Sequence, residues 1–197
     1  MPVIYYVRHG LTEWNAQQRL QGRRDMPLND DGRAQAQHCG VILSELFARE
    51  GRAAADFDYM SSPLVRATET MELVRATLGL PPADYRVDAR LTEINFGDWE
   101  GLTYDEVLQR DAGIIDKREH DKWGFLIPNG ESYIQVAARV GAWYDTLTRD
   151  TVVAAHGGTA RALIAHLRIA EPEAATHYTI EHGVVYVYGN GSLARYG

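Results

Sequence analysis

Twice in this chain a short run of apolar residues breaks off directly into a histidine followed by glycine. Near the start, residues 3–7 lead into Arg8-His9-Gly10. Far along, Thr151–Ala155 leads into His156-Gly157-Gly158. Runs this short and this apolar read as strands buried on both faces, as in a parallel sheet. After the second, residues 159–167 are good helix formers, so the order is strand, turn, helix.

The rest of the chain repeats that order. Asn29 and Asp30 offer N-caps before a helix-like stretch at 34–47. Residues 57–60 read as a second strand. Ser62 as N-cap and Pro63 as first helical residue then predict a helix to about Leu78, stopped by Gly79. Residues 85–88 are a third strand candidate, and 131–148 carry a helical apolar pattern through Tyr133, Val136, Val140 and Tyr144. Two late strands, 184–188 and 193–196, flank the hairpin signal Gly189-Asn190-Gly191. Right-handed crossovers turn this into a three-layer α/β/α fold. Its central sheet is mostly parallel, with helices on both faces and an antiparallel edge strand.

Composition narrows the classes. With 45% hydrophobic residues the chain buries enough to offset its entropy, which excludes disorder. A length of 197 residues predicts one domain over 1–197, with 91–130 as an insertion over the active site, holding a short helix near Tyr104–Arg110. A net charge of −7 argues against nucleic acid or a membrane surface as partner. The single cysteine, Cys39, excludes an intramolecular disulfide and a cysteine-based zinc cluster. The first ten residues do not read as a signal peptide, so the expected location is the cytoplasm. Oligomeric state is not legible.

In an open α/β sheet, ligands bind outside the carboxyl ends of the strands. There the predicted strands deliver Arg8-His9-Gly10, then Ser62 and Arg66, then Arg90 and Glu93, then His156-Gly157-Gly158. Guanidinium forks match phosphate oxygens, and helix N-termini add free N–H groups. A neutral imidazole is a competent nucleophile, and a carboxylate can give and take a proton. Together these groups describe metal-free phosphoryl transfer through a phosphohistidine.

The same residues fall into four blocks. The chain resembles the histidine phosphatase superfamily, also called phosphoglycerate-mutase-like, through Arg8-His9-Gly10-Leu11-Thr12-Glu13-Trp14-Asn15 and Ser61-Ser62-Pro63-Leu64-Val65-Arg66. The third and fourth blocks are Leu91-Thr92-Glu93 with its following Phe96-Gly97-Asp98-Trp99-Glu100-Gly101, and His156-Gly157-Gly158. The resemblance implies a phosphoglycerate-mutase-like fold and a set of roles. His9 is the implied nucleophile and Glu93 the proton donor and acceptor. Arg8, Arg66 and His156 would hold the phosphate and Asn15 would donate a further bond. Gln21 and Gly22 would touch substrate, and Gly157 would bring backbone close to it. No cofactor and no metal are implied, and the expected partner is a small phosphorylated metabolite.

Some residues keep two readings. Arg90 either pairs with a neighbouring carboxylate or meets substrate, and Glu100 is either structural or part of the site. Arg19, Arg23, Arg24, Lys117, Arg118, Lys122 and Trp123 either meet a second anionic group or form a solvated surface. His182-Gly183 reads as a turn. Pro128-Asn129-Gly130-Glu131-Ser132 and a short insertion with only Lys117 and Lys122 as lysines resemble the family's phosphatases more than its mutases. The expectation is therefore a phosphomonoesterase of the histidine acid phosphatase type. The alternatives are mutase-type phosphoryl transfer and a non-catalytic phosphate-binding module.

Overall fold

In the computed structural model, which describes residues 2–189 and 191–197, alternate residues of the first strand go to opposite cores. Ile4 and Tyr6 of β1 (Ile4–Arg8) join one apolar cluster, Tyr5 and Val7 the other. A strand buried on both sides needs a neighbour on each edge, and β1 has two. It pairs parallel with β4 (Thr151–Ala155) and antiparallel with β5 (Val185–Gly189). Adding β2 (Asp58–Ser61), β3 (Arg86–Val87) and β6 (Ser192–Tyr196) gives one sheet in the order β3-β2-β4-β1-β5-β6. β3, β2, β4 and β1 are parallel, and the edge strand β6 runs antiparallel to β5. Asn190, in the hairpin signal, lies outside the described residues.

The helices sort by face. α2 (Asp30–Arg49) and α3 (Val65–Thr77) pack through Leu43, Phe47 and Met71 onto Tyr5, Val7 and Val152. α6 (Tyr133–Tyr144) and α7 (Gly157–His166) pack through Val136, Trp143 and Leu163 onto Tyr6 and Val153. Each such fully buried side chain contributes roughly 1.5–3 kcal/mol relative to exposure. The chain thus leaves β1 toward one face and β4 toward the other. The crevice between these two strand ends is the switch point where such sheets take ligands.

Segment 91–130 packs onto the α6–α7 side through Trp99, Val107, Ile115 and Ile127. It holds the expected α4 (Tyr104–Arg110) and a second, unexpected helix, α5 (Ala112–His120), capped by Asp111. Two further short helices are α1 (Glu13–Ala16) and α8 (Pro172–Ala175). Gly10 meets Gly32 of α2 so closely that a Cβ on Gly10 would lie 2.1 Å from the Gly32 carbonyl oxygen. That contact seats the turn after β1 on the start of α2.

Several boundaries differ from expectation, and three of them have a visible cause. α3 begins at Val65, not Pro63, and Ser62 does not cap it. The Val65 N–H is taken by Asp25 Oδ1 at 2.7 Å, while the Ser62 hydroxyl turns to His156. α6 stops at Tyr144, short of Thr148, because Thr146 N–H turns back to the Trp143 carbonyl. α7 starts two residues early, at Gly157, with the Ala160 N–H bonding back to the His156 carbonyl. Among the described residues no helix is long and apolar enough to cross a membrane.

Candidate active site

Register brings the two histidines together. Arg8 stands opposite Ala155, so the next residue on each strand, His9 and His156, leaves the sheet side by side. Their ring centroids are 5.2 Å apart. The backbone continues the pairing for one more bond, His9 N–H to the Ala155 carbonyl at 2.9 Å. On the other flank of β4, Ser61 stands opposite Ala154, which carries Ser62 up to His156.

Each ring is held by a different partner. His9 Nδ1 lies 2.7 Å from the Gly10 carbonyl oxygen. A carbonyl only accepts, so Nδ1 carries the proton and Nε2 keeps its lone pair. Burial, then Arg66, His156, Arg8 and His182, hold His9 well below the ordinary histidine range, so the ring is neutral at pH 7. His156 is likewise held well down by burial, then Arg66, Arg8 and Arg139. Its Nε2 sits 2.7 Å from Ser62 Oγ. Its main chain is fixed by Tyr6, whose hydroxyl donates to the His156 carbonyl at 2.7 Å and accepts from the His156 N–H at 3.0 Å.

Arg66 is buried, Arg8 is half-buried, and both are only partly used. Arg8 gives one nitrogen to the Ile180 carbonyl at 2.6 Å. Arg66 gives both terminal nitrogens to the loop before it, to the Gly22 and Arg24 carbonyls at 2.7 Å each. Arg8 Nε, Arg66 Nε and His156 Nδ1 are buried and find no hydrogen-bond partner among the described residues. Unpartnered buried polar atoms are costly, about 1–3 kcal/mol each and more when charged. Three such nitrogens in one site suit an anion, and Gln21 Oε1 is a fourth unpartnered atom there. Burial lowers the Arg8 pKa to about 10, partly offset by Glu93, and burial lowers Arg66 as well.

Glu93 faces this group from the far side. Its Oε1 accepts the Gly158 N–H at 3.0 Å and the Ile94 N–H at 2.9 Å. A Cβ at 158 would lie 2.3 Å from Glu93 Oε1, so any larger residue there displaces the carboxylate. Asn15 closes the near side. Its Oδ1 accepts from the Thr12 N–H at 3.2 Å and hydroxyl at 3.0 Å, so the amide nitrogen is the group it offers outward.

A pocket of about 150 Å³ lies between them, lined by Arg8, His9, Asn15, Gln21, Gly22, Arg66, Glu93 and Gly157. His156 lies beneath it, against the His9 ring. Arg19, Leu20, Phe96 and Arg161 complete the wall. Arg161, on α7, was not singled out in the sequence; its signal is its place one helical turn after Gly157. Its Nε donates to the Tyr178 carbonyl at 2.9 Å and one terminal nitrogen reaches Tyr133 Oη at 3.4 Å.

Other candidates go elsewhere. Arg90 is bound to Asp88 at 2.6 Å and to the Ala142 carbonyl. Glu100 holds the loop 22–24, accepting the Arg23 N–H at 2.8 Å and facing Arg24 at 3.4 Å. Glu131 ties Arg23 to Arg139. Arg118 is buried against Trp99 and Tyr104 inside the insertion, and Arg19 pairs with Glu106 at 3.0 Å. Trp123 stacks on Tyr133.

A sequence model of the histidine phosphatase superfamily (branch 1) matches residues 4–190. Among curated relatives, the 2,3-bisphosphoglycerate-dependent phosphoglycerate mutase of Beijerinckia indica is 31% identical, over 94% of this chain and 90% of its own. Among solved structures, a mycobacterial glucosyl-3-phosphoglycerate phosphatase is 27% identical, over 100% of this chain and 96% of its own, with a TM-score of 0.81. The α-ribazole phosphatase of Shigella flexneri is 26% identical, over 97% and 93%, with a TM-score of 0.77.

Proposed function

The chain belongs to the histidine phosphatase superfamily, and from that membership we propose that it is a metal-independent phosphomonoesterase acting through a phosphohistidine on His9. The observation that carries this reading is a neutral His9, its Nε2 lone pair free, at the edge of three buried unpartnered donors and opposite a carboxylate.

The substrate phosphate sits against Arg8 Nε, Arg66 Nε, Asn15 Nδ2 and His156 Nδ1. With the Ser62 hydroxyl donating into His156 Nε2, the proton of that neutral ring is on Nδ1, facing the anion. His9 Nε2 attacks phosphorus as the ester P–O bond breaks. Glu93, protonated, gives its proton to the departing alkoxide. Water then gives its proton to the Glu93 carboxylate and attacks the phosphohistidine, releasing phosphate and restoring His9. The fixed guanidinium groups stabilise the charge spread over the equatorial oxygens in both steps. No step calls on a metal ion, and among the described residues no group of three or more His, Cys, Asp or Glu is placed to hold one.

Mutase-type transfer is the second reading, and the name of the Beijerinckia relative favours it. The insertion favours hydrolysis. It is short, Lys117 is exposed on α5, and Arg118 is spent on aromatic rings, so it offers few cations for keeping a bound sugar acid in place between two transfers. Arg161 points to an acidic leaving group. With Arg19 paired to Glu106, Arg8, Arg66 and Arg161 stand against the single carboxylate Glu93, and with the acid proton on Glu93 a phosphate dianion leaves one positive charge over. Two relatives above carry phosphoglycerate in their names, which fits a leaving group with a carboxylate.

The test is phosphate release from an aryl phosphate and from 3-phosphoglycerate, with excess chelator, wild type beside His9→Ala. Turnover by wild type alone is the expected result. Conversion of 3-phosphoglycerate to its 2-isomer without phosphate release would replace this reading with the mutase one.

A further inference from the structure

Residues 178–182 run past the end of β1 and touch the site at alternate positions. The Tyr178 carbonyl takes Arg161, the Ile180 carbonyl takes Arg8, and the His182 side chain takes His9. The third contact differs in kind. His182 Nδ1 lies 2.6 Å from the His9 main-chain oxygen, and the two rings meet edge to face, 5.4 Å between centroids. Since a carbonyl only accepts, His182 is the donor.

The bond acts on one peptide plane. The His9 carbonyl and the Gly10 N–H belong to the same peptide, and the N–H is held from the opposite side by Thr70 Oγ1 at 3.0 Å. With both ends fixed the plane cannot rotate. Its orientation sets where the next carbonyl, Gly10, stands, and that carbonyl fixes the His9 tautomer. The His182 turn is itself anchored. The Glu181 N–H donates to Tyr186 Oη at 2.8 Å, and Gly183 packs against Gln35, which accepts the Leu11 N–H at 2.9 Å.

We infer that His182 is a positioning residue for the nucleophile, locking the His9–Gly10 peptide so that His9 presents its unprotonated Nε2 to the phosphate. This rests on the phosphohistidine reading above for its effect on rate, but not for its effect on the His9 ring.

Two readouts therefore test it on the full chain. The first is kcat and KM for an aryl phosphate. His182→Leu lowers kcat by about 10- to 100-fold with KM changed less than about threefold, as expected when a reacting atom is displaced and binding is not. His182→Asn, whose amide can donate to the same carbonyl, recovers kcat to within about fivefold of wild type. The second readout is the ¹⁵N spectrum of the His9 ring. Wild type and His182→Asn show a protonated Nδ1 and bare Nε2; His182→Leu shows the two tautomers mixing. Should His182→Leu not fold, His182→Gln, which carries its amide one methylene further out, replaces it with the same expectations. A His9 spectrum unchanged in His182→Leu, or an Asn variant as impaired as Leu, overturns the inference. Wild type without turnover but with the ring signature intact would sink the phosphatase reading and leave the His182 assignment standing.

Discussion

At the floor of the pocket, His156 and Arg66 are fully buried, and their contacts run to strand ends, to Ser62 and to main-chain carbonyls. At the rim, Arg19, Arg23 and Arg24 keep 32%, 45% and 66% of their side-chain surface exposed and hold the 19–24 loop through ion pairs. The floor is placed by sheet register, which shifts only in whole residues. The rim is placed by side chains that water and salt can replace. Chemistry on the first and selection on the second would let substrate preference change without disturbing the reacting atoms.

The sharpest way to break this contrast is to disturb the contact between Gly158 of α7 and Glu93 of segment 91–130. Gly158→Ala puts a methyl group into Glu93 Oε1. We expect kcat to fall about 10²-fold, within the range for losing a positioned acid–base group, with little change in melting temperature. A fall in stability with intact kcat would mean that the Gly158–Glu93 contact is only structural.

The next effect sharpens the contrast at the wall. Arg161→Gln is expected to lower kcat/KM for 3-phosphoglycerate by about 10- to 100-fold, the worth of one charge-assisted bond, and for an aryl phosphate by less than about threefold. Equal losses on both would place Arg161 with the floor.

A third prediction concerns acid. His9, His156 and His182 are all held neutral by burial first, His182 down to about 4. The unfolded chain protonates each near its ordinary 6.5, so below that pH it binds more protons than the folded chain. Stability is then complete above about pH 6.5 and falls as pH drops through it, by about 1.4 kcal/mol per pH unit for each neutral histidine. Denaturant midpoints at pH 8, 6.5 and 5.5 should show that break, and His182→Asn should flatten it. The rim should respond least: Arg24→Ala should change kcat by no more than about threefold and stability by less than about 1 kcal/mol.

This division also explains what was legible in the sequence. The floor residues stand where a strand run ends or a helix begins, so Arg8, His9, Arg66, His156 and Gly157 could be picked out by position and brought to one end of the sheet, whereas Glu93, in a loop, rested more on the family resemblance than on spacing. Arg161 was hidden because it sits inside a helix of ordinary helix formers, where an arginine signals nothing by itself. The 178–182 segment has neither helical nor strand periodicity, and His182 before Gly183 looks like any turn. Ser62 before Pro63 matched a helix start so well that its bond to His156 could not be read. Local propensity was outweighed there by a buried imidazole that needed a partner. Arg90 has two readings in the sequence because both of its partners, Asp88 and the Ala142 carbonyl, are set by the folded chain.

The central claim is covalent, so the most direct measurement is to trap the intermediate. Glu93→Gln should slow attack by water more than attack by His9 on an activated aryl phosphate, whose leaving group needs no proton. Mixed with ³²P-labelled aryl phosphate and quenched in base, it should carry close to one label per chain, stable to alkali, lost in acid, and mapping to the peptide that contains His9. Label that survives His9→Ala, or turnover with no label on the protein in any quench, would contradict the account.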